Sequence, residues 1–231
     1  MPVKELQKDN IIYEDNHLLV VNKQPGCATM GLPEGETTLL TLAKDYIKHK
    51  YHKKGNVYLG VVSRLDVPVS GVVVFARTSK AADRLNEQFR QHSTQKIYWA
   101  IVEGLIYPLD DDCIDFICED PRHRKMWITK QADSSNNAKE AKLHYRRLER
   151  LGTNSLIEVQ LETGRKHQIR LQLSHRGYPI IGDRKYGSKV ILPEGTGIAL
   201  HGKSLTILHP TTGQEITFEA KIPAFWSSFL S

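Results

Sequence analysis

The spacing of apolar and polar positions changes several times along the chain, and the changes mark out many strands and a few helices. Ile11-Ile12-Tyr13-Glu14 and Leu18-Leu19-Val20-Val21-Asn22 are apolar runs on either side of Asp15-Asn16-His17, the pattern of a hairpin. Lys23-Gln24-Pro25-Gly26 ends the second run with turn chemistry. From Thr38 to His49 the period lengthens. Leu39, Leu42, Ala43, Tyr46 and Ile47 make a helical stripe, with Lys44, Lys48, Lys50, Lys53 and Lys54 on or just beyond it. Val72-Val73-Val74-Phe75-Ala76 is again continuous and apolar, a buried strand. A second helix follows, with Ser79 as its expected N-cap and Ala82, Leu85 and Phe89 on its buried face.

Lys96-Ile97-Tyr98-Trp99-Ala100-Ile101-Val102 mixes aromatic and β-branched residues on both faces, which predicts a central strand. Asp110-Asp111-Asp112 reads as a solvated acidic turn, Pro121 to Trp127 as a basic segment with an aromatic, and Ser134 to Asn137 as a flexible loop. Lys139, Lys142, Arg146, Arg147 and Arg150 follow on one strand or two. With Trp127, His144 and Tyr145 among them they suit phosphate contact and base stacking, or a plain exposed hairpin. Ile157, Val159 and Leu161 alternate with polar residues as in a half-buried strand. After Thr163-Gly164, the pair Ile169 and Leu173 opens a helix that Gly177 and Pro179 stop. Gly182 to Gly187 is a tight turn. Ile198 to His201, Ser204 to Leu208 and Glu215 to Ala220 read as three strands, the last two a hairpin.

Composition narrows the class. In 231 residues, 40% of them apolar, the chain can bury a real core, and neither a linker nor an internal repeat divides it. The expectation is one domain over residues 1–231. The net charge of +6 and a pI near 9.1 favour a polyanionic partner, though a basic soluble enzyme of another kind carries the same excess. Cys27, Cys113 and Cys118 lack metal-ligand spacing, and their odd number points away from a disulfide framework toward a reducing compartment, the cytoplasm. The polar start of the chain has no apolar signal core, and no stretch is long enough to span a bilayer.

Two short stretches break the background. In Ser63-Arg64-Leu65-Asp66-Val67-Pro68, an Arg-x-Asp sits on a loop between apolar runs, and in an extended approach to Pro68 the two charges share a direction. Taken alone, such a pair is equally a surface ion pair or an Asp capping its own turn. In Thr163-Gly164-Arg165-Lys166-His167-Gln168-Ile169-Arg170, four potential cations crowd the start of a helix, where the macrodipole opposes them. A local rule broken this strongly marks a place for an anion, or else an exposed polar helix face.

With these residues in hand the chain resembles the RluA-type RNA pseudouridine synthases. The resemblance rests on Asn22-Lys23-Gln24-Pro25-Gly26, Arg64-Leu65-Asp66 with Ser70-Gly71, and Lys96-Ile97-Tyr98-Trp99-Ala100. It continues through Thr163 to Arg170, Gly182-Asp183 with Tyr186-Gly187, and Leu200-His201 with His209-Pro210. These motifs follow in order over nearly the whole chain. The resemblance implies an α+β fold: a mixed, mostly antiparallel sheet with flanking helices and a central catalytic cleft. With no room for one before Ile11, the chain resembles the compact members, and no separate RNA-binding domain is expected. The resemblance makes Asp66 the catalytic aspartate, Tyr98 the active-site tyrosine and Arg170 the arginine paired with Asp66. Arg64 matches the arginine that helps fill the space of the flipped base, and Arg165, Lys166 and His167 become substrate-binding candidates. Ser63, the Val67-Pro68-Val69 run and Lys166 depart from common family residues without removing a catalytic group.

The implied reaction breaks the N1–C1′ bond of a uridine, turns the base and joins C5 to C1′, with no redox change, so the expectation is an enzyme without cofactor or metal. An ionised carboxylate is needed beside the sugar, and a guanidinium beside it favours the charged form and fixes its geometry. Attack at C1′ and removal of the C2′ proton both remain open. A tyrosine can stack on the uracil and help remove the C5 proton. The target must leave its stack, so a stem-loop of transfer or ribosomal RNA is the expected partner, met by a monomer. Two other readings compete. One is an RNA-binding relative that has lost catalysis. The other is a glycosidase with a second carboxylate, Glu162 or Asp183, that would release free uracil.

Overall fold

The computed structural model describes residues 5–33, 35–120, 125–129, 137–193 and 196–230. The chain forms two compact units. The first comprises Met1–Gln95, Glu194–Gly197 and Gly202–Ala224, and the second Lys96–Pro193, Ile198–His201 and Phe225–Ser231. Every strand ladder detailed here is antiparallel.

The first unit carries β1 (Ile11–Glu14), β2 (Leu18–Lys23), α1 (Leu39–Lys50), β3 (Gly60–Val61), β4 (Ser70–Ala76) and α2 (Ser79–Arg90), numbered in chain order. The strands β2 and β4 pair with Leu19 opposite Phe75 and Val20 opposite Val74. Every residue of both is buried. The cause is a helix on each face. Leu19, Val21, Val73 and Phe75 pack with Leu39, Leu42, Ala43 and Ile47 of α1, while Leu18, Val20, Val72 and Val74 pack with Ala81, Ala82 and Leu85 of α2. Continuous apolar runs are what a strand covered on both faces requires. The Asp15 carboxylate makes the hairpin turn by accepting the His17 and Leu18 amides, each at 2.7 Å.

The helix α1 begins with Thr38 as its N-cap, in a reciprocal pair with Thr41. The cap of α2 is Thr78, whose Oγ1 accepts from the Ala81 amide at 3.1 Å, so Ser79 is the first helical residue and not the cap. The far end of α1 is tied back by Glu14. Its carboxylate accepts from Lys50 Nζ and Tyr51 Oη, each at 2.7 Å, from Tyr46 Oη at 3.1 Å, and pairs with Arg77 at 3.3 Å. Burial pushes the Glu14 carboxyl up, and the hydrogen bonds from Lys50, Tyr51 and Tyr46 outweigh it, so the net displacement is downward. A carboxyl lowered in the folded state stabilises above its unfolded pKa and loses that contribution as pH falls through its folded value. Glu14→Gln should therefore lower stability at pH 7 by about 2 kcal/mol, or several degrees in Tm. The gap between mutant and wild type should close at acid pH. Urea melts at both pH values check this, and a gap that persists at acid pH would rule out the ion-pair account.

The second unit is built on β5 (Gln95–Glu103), β6 (Asp110–Asp120), β7 (Lys125–Thr129), β8 (Lys139–Leu151) and β9 (Asn154–Leu161) in the order β5-β9-β8-β6-β7, with α3 (Gln168–His175) against β6 and β7. Asp110, Asp111 and Asp112 open β6 and do not form a turn. Opposite them on β8 stand Arg146, Tyr145 and His144, and His144 bonds Asp112 at 2.9 Å. Cross-strand opposite charge makes an acidic run acceptable in a ladder. Lys139 to Arg150 lie on one strand, β8, and its cations are partly spoken for: Lys142 pairs with Glu140 and Arg146 with Glu158. Tyr145 is buried and donates to the Pro108 carbonyl, which removes it as a stacking surface for a base. Pro121 to Arg124 and Ser134 to Asn136 lie outside the described residues. Lys125 and Trp127 are on β7, with Trp127 half-exposed.

The chain passes from the second unit back to the first inside β10 (Leu200–Leu208), one strand where two were expected, and β11 (Glu215–Glu219) pairs with it. Gly202 explains the continuity. Gly71 at the start of β4 lies so close that a Cβ on it would come within 2.3 Å of the Gly202 carbonyl oxygen, so the backbones pass with no side chain between them.

Candidate active site

Asp66 sits in the first unit on a turn that its neighbours hold at four places. The chain leaves β3 at Val61, and the Val69 amide returns to the Asp66 carbonyl at 3.0 Å before β4 begins. The Val67 carbonyl accepts from the Gly26 amide at 2.8 Å and from Lys23 Nζ at 3.1 Å. Thr29 Oγ1 donates to the Leu65 carbonyl at 3.1 Å and accepts its amide at 3.3 Å. Ser63 Oγ accepts the Val74 amide of β4 at 3.1 Å. Gly197 closes the fourth side, because a Cβ there would lie 2.4 Å from the Pro68 carbonyl oxygen. Asp66 is half-buried and Arg64 exposed.

Lys23 has no solvent exposure. Its ammonium lies between the carbonyls of Gln24 and Val67. Burial pushes it down to about 8, against the pull of the charges of Cys27 and Asp66. The Asn-Lys-x-Pro-Gly segment is thus the floor of the aspartate turn. Sequence reasoning gave Lys23 no part in the site, and the motif that contains it was the available signal.

The other candidates lie in the second unit. Tyr98 is half-buried in the middle of β5, opposite Val159 of β9, which in turn faces Tyr145 of β8. Beyond β9, Thr163 Oγ1 accepts the Lys142 amide and donates to Gln168 Oε1, each at 2.8 Å. Gln168 also accepts the Arg165 amide and donates to the Lys142 carbonyl, both at 3.0 Å. The buried first residue of α3 therefore fastens the cationic turn to β8. Arg165 donates through Nε to the Glu140 carbonyl at 2.9 Å, and Lys166 forms an exposed ion pair with Glu119. His167 is the N-cap of α3 in the left-handed region, with φ 56° and no side-chain cap bond. Such a backbone in a residue other than glycine is sparsely populated and is held here by its surroundings. His167 Nδ1 meets Tyr186 Oη at 2.7 Å.

Arg170 lies in the first turn of α3 and is almost wholly buried. Its Nε and Nη2 donate to Asp183 Oδ2 and Oδ1 at 2.6 and 2.9 Å, a two-pronged pair with Asp183 itself buried. The guanidinium carbon stands 5.0 Å from the centre of the Tyr186 ring. Both Asp183 oxygens are thereby engaged by Arg170, which counts against the glycosidase alternative in which Asp183 is the second catalytic carboxyl. Glu162, the other carboxyl of that alternative, is exposed. Asp183 and Tyr186 as partners of Arg170 were missed from the sequence, although both stand in a recognised motif.

Comparison with known proteins decides the family. The RNA pseudouridylate synthase model matches residues 17–175. The chain belongs to the RNA pseudouridylate synthase family. It is 34% identical to an uncharacterised RNA pseudouridine synthase of Synechocystis over 96% of this chain and 68% of that protein. To the ribosomal large subunit pseudouridine synthase D of Xanthomonas campestris it is 34% identical, over 93% of this chain and 66% of that one. To the dual-specificity RNA pseudouridine synthase RluA of Haemophilus influenzae it is 37% identical, over 92% of both. The solved structure of human RNA pseudouridylate synthase domain containing 4 superposes with a TM-score of 0.79 at 26% identity, over 96% of this chain and 91% of that one. The expected sheet-rich fold with few helices is that of its pseudouridine synthase neighbours. No helix among the described residues is long and apolar enough to cross a membrane.

Proposed function

We propose that this pseudouridine synthase isomerises uridines in transfer or large-subunit ribosomal RNA, with Asp66 acting at the sugar, Tyr98 on the base and Arg170 as the buried cation of the catalytic set. The observation that carries the reading is the aspartate turn. Two motifs some forty residues apart meet there, and Lys23 and Gly26 hold the Val67 carbonyl beside Asp66. That rigidity is what a carboxylate needs if it is to meet one sugar carbon in one geometry. The family match runs through both compact units, which supports a single catalytic domain. The synthase D relative is named for large-subunit ribosomal RNA, and a tRNA pseudouridine synthase C of Pectobacterium carotovorum, 32% identical over 96% of this chain and 61% of that one, supplies the transfer RNA class. A uridine in a loop or distorted stem is the preferred target, since extrusion there costs least. The protein works as a monomer in the cytoplasm, in keeping with its three free, buried cysteines. The test is tritium release from RNA labelled at uracil C5, with nucleoside analysis of the product. Pseudouridine without free uracil supports the proposal; free uracil or no release overturns it. Mapping pseudouridines in cells with and without the protein then names the uridine.

Substrate contact falls to Arg64, Arg165, Lys166 and His167, and Arg165 separates two roles most cleanly. Binding through phosphates releases counterions, so affinity should fall steeply with salt. Arg165→Ala should weaken RNA binding several-fold and reduce the slope of log affinity against log salt by about one. Turnover at saturating RNA should change less. Arg165 also reaches the Glu140 carbonyl. If that bond is its whole purpose, the mutant will melt earlier and the salt slope will not move. A salt titration and a melting curve on the one variant distinguish the outcomes.

A further inference from the structure

Arg170 is gripped on one edge and one face by a short segment, residues 182–187. Asp183 meets the Nε–Nη2 edge of the guanidinium with both oxygens, and three residues later Tyr186 offers its ring to the guanidinium face. The segment is stiff. The Tyr186 amide bonds the Asp183 carbonyl at 3.0 Å, Ser174 of α3 donates to the Tyr186 carbonyl at 2.5 Å, and the Gly182 amide donates to Ser188 Oγ at 2.9 Å. Gly187 ends the turn at φ 96°. The segment is also anchored to the strand that carries Tyr98. Ile180 bridges Val102, and the Glu103 amide donates to the Pro179 carbonyl at 2.9 Å.

A free arginine side chain has many rotamers, whereas a planar fork gripped on one edge and one face has a single orientation. The geometry turns the opposite edge of the guanidinium away from Asp183. An ion pair this deeply buried is poor evidence for a stability purpose, since apolar residues of similar volume commonly do as well. It is good evidence that the direction of the guanidinium matters.

We propose that Asp183 is a positioning residue of the synthase, and that with Tyr186 it clamps Arg170 in the orientation in which Arg170 serves the reaction. The inference rests on the catalytic reading of Arg170 given above. Asp183 touches Arg170, not the uridine. A displacement of about 1 Å at a reacting group can cost 10²-fold in rate, and loss of the clamp is expected to act on that scale.

The test is steady-state kinetics with RNA on four variants, together with RNA affinity and a melting curve. Asp183→Asn should lower kcat about 10²-fold and leave KM and RNA affinity within about threefold. If Asp183→Asn does not fold, the Tyr186 pair carries the test. Tyr186→Leu removes the ring from the guanidinium, while Tyr186→Phe keeps it, so kcat for the leucine variant should fall about tenfold below that of the phenylalanine variant. A clamp that served only the fold would shift melting temperatures without this ordering in kcat. Arg170→Lys is measured in parallel. If it keeps near wild-type turnover, the catalytic reading of Arg170 fails and the clamp with it. If Arg170→Lys is severely impaired while Asp183→Asn turns over within threefold of wild type, the reading of Arg170 stands and the clamp is overturned. Equal kcat for the Tyr186 leucine and phenylalanine variants also overturns it.

Discussion

Asp66→Asn should give a folded protein that binds RNA with near wild-type affinity and forms no measurable pseudouridine. The substitution keeps the size of the side chain and its hydrogen-bonding capacity and removes only the charge. The turn beneath it is fastened by backbone carbonyls and amides, through Lys23, Gly26 and Thr29, and these bonds are kept in the variant. Asp66 is half-buried, and the stability change should stay within about 1 kcal/mol. The effect on turnover should be of another order. An amide supplies neither a nucleophile for C1′ nor a base for the C2′ proton, so both chemical routes close. A loss beyond about 10³-fold corresponds to more than 4 kcal/mol of transition-state stabilisation. Tritium release checks the rate, and filter binding with a melting curve checks the fold. Activity within tenfold of wild type, in a preparation free of wild-type enzyme, would end the assignment of Asp66.

What the sequence made legible divides along a physical line. Local pattern was enough for β2 and β4, whose continuous apolar runs are fully covered, and for α1 and α3, whose buried residues recur at helical spacing. It failed where a tertiary partner decides. Asp110 to Asp112 look like a solvated turn until Arg146 and His144 stand opposite them. The strand β10 looks broken at Gly202 until the backbone of Gly71 passes against it. Thr78 and Ser79 are both able caps, and the choice rests on which one takes the extended conformation. The candidate site shows the same division. Asp66, Tyr98 and Arg170 were nominated by family motif. The groups that hold them were not, since the place of Lys23 under residue 67 and of Asp183 against Arg170 depends on contacts that no periodicity encodes.

The largest stability effect should follow from Arg170→Met. The substitution removes a cation from a site with almost no exposure and leaves the Asp183 carboxylate buried beside an apolar side chain. Removing one member of a buried pair typically destabilises by 3–5 kcal/mol, since the remaining charge keeps its desolvation penalty and loses its compensation. In a chain of this size that is a drop in Tm on the order of 10 °C. Turnover should be lost as well, but the single mutant cannot say whether through the fold or through the chemistry. The double variant Arg170→Met with Asp183→Leu can. Both charges are then gone, the methionine retains the Tyr186 ring as an apolar neighbour, and most of the lost stability should return. Pseudouridine formation should not return, because the guanidinium is still absent. Thermal melts and tritium release on the two single variants and the double therefore separate the roles. Stability restored with activity still missing identifies Arg170 as part of the chemistry, whereas activity that recovers along with the fold would reduce the arginine to a brace.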